Sequence, residues 1–126
     1  MPSNILVLNN YAYYLSEEGC ELDKAEQMSL RAIKAEPDNA TYLDTYAWIL
    51  YKQKRYAEAW EYIDKALSSD SQPSDVLYEH AGDIQYQLGD VLRALDYWNR
   101  ALDIQRETDM VDEKLKKKVK LKKIVE

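Results

Sequence analysis

Small residues recur in this chain at an interval of 34 or 35 positions, and no other feature restricts the fold as much. Ala12, Ala47 and Gly82 form one series, Ala25, Ala59 and Ala94 a second, Ala32, Ala66 and Ala101 a third. Self-similarity at this period marks a helical solenoid. The physical reason is close packing: helix axes approach to about 8–10 Å only where small side chains sit at the crossing. Larger residues recur between them, as in Leu8, Leu43 and Tyr78, then Tyr11, Tyr46 and Ala81, then Leu22, Tyr56 and Val91. The clearest copy runs from Ala40 to Pro73 and reads as two short amphipathic helices joined by a tight turn.

Laying that copy over its neighbours predicts six helices in three pairs. They run from Ile5 to about Ser16, Leu22 to Ala35, Ala40 to Gln53, Tyr56 to Ser68, Ser74 or Asp75 to about Leu88, and Val91 to about Arg106. Gly19, the pair Lys54-Arg55, and Gly89-Asp90 mark the turns inside the pairs, with glycine the natural helix stop. The repeats then occupy residues 5–39, 40–73 and 74–106. Residues 107–126 form a lysine-rich C-terminal capping helix, from Met110 to Ile124 behind Asp109 as its N-cap. Val111, Leu115 and Val119 lie on its inner side, and seven lysines cover most of the rest. Repeat arrays need such a cap to close the last apolar flank. The expected fold is therefore all-α, and three glycines and three prolines are too few for a turn-rich β fold.

Pro2-Ser3-Asn4 resembles Pro37-Asp38-Asn39, which ends the first repeat. Pro2 is therefore expected to close an earlier repeat not contained in this chain, with Met1 added at a repeat boundary. A plainer alternative is that Ser3 and Asn4 cap the first helix. On the first reading Leu6, Val7 and Tyr14 have lost their cover, which predicts a homodimer through the N-terminal repeat.

Charge and composition exclude several functions. Residues 1–106 carry a net charge of −8 and residues 107–126 a net +2. An acidic body is the wrong partner for nucleic-acid phosphates. No apolar run approaches the 18 residues of a membrane span. Cys20 is single, so no internal disulfide forms. His80, the one histidine, follows Glu79 and reads as part of a polar helix face. No metal-ligand spacing and no phosphate-cradling glycine loop is present, so no cofactor, no metal and no enzymatic activity is expected.

The repeats resemble the tetratricopeptide repeat (TPR), whose pattern is W-x2-L-G-x2-Y, then A-x3-F, then P. The middle copy reads Leu43-x2-Tyr46-Ala47-x2-Leu50, then Ala59-x3-Ile63. The third reads Tyr78-x2-Ala81-Gly82-x2-Gln85, then Ala94-x3-Trp98. The first reads Leu8-x2-Tyr11-Ala12-x2-Leu15, then Ala25-x3-Ser29, then Pro37. Gln85 and Ser29 depart from the usual apolar residues, which predicts looser packing there. In motif style the chain is similar to bacterial members of the family. The resemblance implies a right-handed superhelix of antiparallel helix pairs whose first helices line a concave groove for a protein or peptide partner. Carried over by position, the groove residues are Asn9, Tyr13, Asp44, Thr45, Trp48, Tyr51, Glu79, Asp83 and Tyr86. Aromatics beside carboxylates imply a basic or aromatic-seeking segment. A subclass of the family grips a C-terminal carboxylate with Lys, Asn and Arg. The matching positions here, Asn9, Tyr13, Thr45, Val76 and His80, hold no fixed cation, so that function is not expected. The alternative role is structural, as the terminal segment of a longer array.

Overall fold

The computed structural model describes residues 4–124, and among them every regular element is an α-helix. In chain order these are α1 (Ile5–Glu18), α2 (Leu22–Ala35), α3 (Ala40–Lys52), α4 (Tyr56–Ser69), α5 (Asp75–Gln87), α6 (Val91–Glu107) and α7 (Glu113–Leu121). They divide into two units, the first ending at Ser71 and holding α1–α4, the second starting at Gln72 and holding α5–α7. Pro2 and Ser3, on which the expectation of an earlier repeat rests, lie outside the described residues.

All the helices but α2 and α4 begin where a short polar side chain takes up a free N–H. Asn4 accepts from the Val7 amide, Asn39 from Tyr42, Ser74 from Leu77 and Asp90 from Arg93, at 3.0–3.2 Å. The turns ending α1, α3 and α5 share one geometry. Gly19, Lys54 and Gly89, each 35 positions apart, all take the left-handed conformation, at φ +69°, +65° and +93°. In each, the following amide reaches back to the last helical turn: Cys20 to Leu15, Arg55 to Leu50 and Asp90 to Gln85. Lysine at the middle position carries a steric cost that glycine avoids.

In the first unit α1 packs on α2, α3 on α4, and α3 also rests on α2 and α1. Ala12, Leu15, Ala25 and Ile49 form a core beside Met28. Ala12, Ala25, Ala32, Ala47, Ala59 and Ala66 are all fully buried, so the small-residue series lies at the crossings. A polar clasp ties α2 to the α3–α4 turn. Arg55 donates to Glu26 at 2.9 Å and to both Glu58 oxygens, while the Tyr46 hydroxyl donates to Glu26 at 3.2 Å. Burial first, and then the Glu26 carboxylate, push the Tyr46 hydroxyl up to about 12.

In the second unit α5 pairs with α6, and α7 lies on α6. Ala94, Trp98, Ala101, Leu102 and Leu115 form the core, with Tyr78, Tyr86, Val111, Val119 and Ile124 around it. The last helix differs from expectation. It starts at Glu113, and Asp112 rather than Asp109 is its N-cap. Asp109 instead takes φ +56° in the turn that closes α6, where the Met110 amide donates to Gln105. That turn consumes the residues read as the start of the helix. The Gln105 side chain then accepts from the Asp112 amide at 2.9 Å and fixes the restart. Of the two positions read as loosely packed, Gln85 and Ser29 are both buried, and the Ser29 hydroxyl has no hydrogen-bond partner.

Candidate partner-binding surface

Six of the nine residues expected to line a groove lie on α1 and α3 in the first unit. Asn9 and Thr45 are buried; Thr45 donates to the Thr41 carbonyl of its own helix. Tyr13, Asp44 and Tyr51 are half-buried. Trp48 is only 7% exposed. Its indole N–H donates to Glu17 at 2.8 Å, which ties α3 to the end of α1. Its ring stacks on Tyr51 with centroids 4.5 Å apart and planes 5° apart, and Tyr56 tilts against Tyr51 at 5.4 Å. The Lys52 ammonium stands 5.3 Å from the Trp48 ring centroid. Asp44, Trp48 and Tyr51, spaced by four and three residues, share one stripe of α3. The first unit thus holds a rigid aromatic ledge with a carboxylate one turn away and a cation already resting on it.

The remaining three residues, Glu79, Asp83 and Tyr86, lie on α5 in the second unit. Glu79 and Tyr86 are half-buried and Asp83 is buried. Glu79 and Asp83 sit one turn apart and hold the same ammonium, that of Lys118 on α7. Its Nζ lies 2.6 Å from Glu79 and 2.9 and 3.1 Å from the two Asp83 oxygens. Trp98 donates its indole N–H to Asp83 at 3.0 Å, and the Lys118 ammonium stands 5.9 Å from the Trp98 ring. Burial raises the Asp83 carboxyl above its usual range, and Lys118 only partly offsets this. For Lys118 burial works downward, but the Asp83 and Glu79 carboxylates outweigh it and the net direction is upward. Lysine therefore stays charged, shared between two carboxylates.

A family model described as tetratricopeptide repeat matches residues 40–73. A TPR repeat-containing protein of Pseudomonas aeruginosa is 35% identical over 66 residues, which is 52% of this chain and 11% of that protein. The mitochondrial import receptor subunit TOM70 of Rattus norvegicus is 32% identical over 97 residues, 76% of this chain and 16% of that protein. Among solved structures, the first TPR of Spaghetti (RPAP3) bound to the HSP90 peptide SRMEEVD has a TM-score of 0.80 at 16% identity. That match covers 97% of this chain and 92% of that one. The Sgt2 TPR domain of Aspergillus fumigatus also has a TM-score of 0.80 at 16% identity, covering 97% and 78%. This chain is a tetratricopeptide repeat protein. It spans a sixth or less of the length of these two relatives.

The TPR pattern locates the first-helix residues but not their neighbours. Lys118 and Trp98 are the two functional candidates that sequence reasoning missed. Lys118 was hidden in a lysine run, although it directly precedes Val119 and follows Leu115 by three residues on the apolar side of α7. Among the described residues no cluster could hold a metal ion, and no helix is long and apolar enough to cross a membrane.

Proposed function

We propose that this chain is a protein-interaction module that takes a lysine- or arginine-bearing segment of a partner against the first helices of its repeats. The observation that carries the reading is the α3 ledge. Trp48 and Tyr51 are stacked and pinned by Glu17 before any partner arrives, so little entropy is lost on binding. Lys52 already rests on the Trp48 ring, the same cation–ring chemistry that the half-buried Tyr51 would offer a partner cation. Tyr13, Asp44 and Tyr51 are the accessible contacts, and Asn9, Thr45 and Trp48 support them from beneath. Glu79, Asp83 and Tyr86 would serve the third repeat in the same way. The Spaghetti neighbour was solved with a peptide bound, which supports a peptide-taking role for the fold. The peptide there ends in Glu-Glu-Val-Asp; here His80 is buried and the ledge is flanked by carboxylates, so an acidic tail is not the expected partner.

The test is fluorescence anisotropy with short lysine-rich and acidic peptides carrying one aromatic. The basic peptide should bind, Tyr51→Ala should weaken it by roughly 2 kcal/mol, and Asp44→Lys should slow association most at low salt. Equal binding of acidic and basic peptides, or indifference to both substitutions, refutes the reading.

A second reading concerns α1. Leu6, Val7, Tyr11 and Tyr14 are 43–56% exposed. Their counterparts 35 residues on, Tyr42, Tyr46 and Ile49 for the last three, are buried, and Ile49 packs with Ala25 of α2. A bare core-type face favours contact, and a two-fold homodimer is the simplest closed arrangement. Light scattering should show a concentration-dependent dimer that Leu6→Lys with Val7→Glu dissociates; a strict monomer refutes it.

A further inference from the structure

Covering α6 does not by itself account for the Lys118 site. If α7 only had to cover the apolar flank of α6, a leucine at position 118 would do so without desolvating an ammonium and two carboxylates. Exchanging a buried ion pair for apolar residues is often neutral or stabilising. Six other lysines in the segment stay in water, and one alone is inserted among Glu79, Asp83 and Trp98. Two carboxylates facing one ammonium leave the site net negative, and the Trp98 ring adds a face that attracts cations. These are the features of a receptor for a charged ligand.

The occupant has little helical stability of its own. α7 has nine residues, shorter than the 12–15 or so that sustain a helix in water. Its lysines repel one another at four-residue spacing, Lys114 against Lys118 and Lys116 against Lys120. Leu115 is its one fully buried apolar anchor, with Val111 and Val119 part-buried beside it. The turn that delivers it holds Asp109 in the left-handed conformation and Met110 exposed.

We propose that Glu79, Asp83 and the Trp98 face form a receptor site for an amphipathic partner helix that presents a lysine between two apolar residues. α7 is its built-in occupant, and a partner binds by taking its place. α7 supplies the template: leucine, lysine three positions on, then valine. This deepens the first-helix reading above and rests on it, since Glu79 and Asp83 belong to that set.

The probe is a fluorescent peptide of residues 111–124, titrated into the full-length chain and into a Leu115→Asp, Lys118→Glu variant whose own α7 no longer fits. Apparent affinity scales with the fraction of open sites, so the variant should bind the peptide about tenfold or more tightly than the wild type. A peptide carrying Lys118→Glu should bind neither. Equal affinity for the two proteins, or binding to neither, overturns the proposal. Should the variant fail to fold, the wild type decides by NMR. Excess peptide should move the amides of residues 113–121 to random-coil positions while the Trp98 indole N–H keeps its bonded shift. α7 amides unmoved at saturating peptide overturn the idea. So does a dimer that exchanges α7 between copies and ignores the peptide, which makes a second copy the occupant. Asp44→Lys separates this proposal from the one it deepens. If the peptide still binds while Asp44→Lys leaves basic-segment binding on the first unit unchanged, the α3 reading fails and the α7 reading stands.

Discussion

Replacing Gly82 by alanine tests the contact on which the second unit is built. A Cβ on Gly82 would collide with both Cδ1 and Nε1 of Trp98 and lie 3.1 Å from the Ala94 carbonyl oxygen. Trp98 is fully buried, and its N–H is committed to Asp83. Overpacking of this kind costs about 1–3 kcal/mol. Moving the ring also weakens a hydrogen bond to a charged group, worth about 1.5–3 kcal/mol. Against both, alanine gains about 1 kcal/mol over glycine inside a helix. The balance is a loss of about 1.5–5 kcal/mol, opposite in sign to what helix propensity alone predicts. Urea unfolding followed by circular dichroism reads the total. The decisive measurement is a double-mutant cycle with Trp98→Phe, which removes the pyrrole edge that the Cβ would strike. In that background Gly82→Ala should be neutral or stabilising, giving a coupling of about 2 kcal/mol or more. Stabilisation by Gly82→Ala in the wild type, or the same cost in both backgrounds, would show that Trp98 is not the reason for the glycine.

Three further outcomes follow from single sites. Lys54→Gly should stabilise by about 0.5–1 kcal/mol, because relief of a left-handed lysine costing about 1–2 kcal/mol exceeds the entropy glycine loses; Lys54→Ala should bring no such gain, and thermal unfolding separates the two. Ser29→Ala should raise stability by about 1 kcal/mol by removing a buried hydroxyl without a partner, and a loss in urea titration would count against that burial. Tyr46 holds its proton more tightly folded, to about 12 against 10; stability is therefore full below pH 10 and falls as pH rises to 12. Tyr46→Phe should flatten the fall in stability between those pH values, and an unchanged slope refutes the assignment.

The fold was legible because its constraints repeat. A single alanine in a helix says nothing about its surroundings, but Ala25, Ala59 and Ala94 in phase mark a crossing, and all three are fully buried. Helix starts were equally readable where the repeat register placed them, as at Ala40 and Val91. They failed at α7 because Asp109 and Asp112 both qualify. The choice between them depends on the side chain of Gln105, which lies in another helix and accepts from the Asp112 amide. Local pattern carries no such information.

The candidate surface was less legible, for two physical reasons. α3 is buried from Tyr42 to Leu50 except at Asp44, and a helix enclosed on most sides has no amphipathic stripe to separate groove from core. Aromatic residues serve both places, so Trp48 reads alike whether it faces a partner or, as here, lies almost wholly covered within the fold. The second reason is charge. A run of lysines reads as a solvated face because burying any one of them is costly. The cost disappears from view only when the partner carboxylates are known, and Glu79 and Asp83 lie 39 and 35 positions away from Lys118. What the sequence does hold is the pairing geometry on each side: two carboxylates one helical turn apart on α5, and one lysine flanked by Leu115 and Val119 on α7. A buried cation between two apolar neighbours, opposite a carboxylate pair, is thus a pattern to seek in other helical arrays. In such a place a helix of the chain itself and a bound partner would use the same contacts.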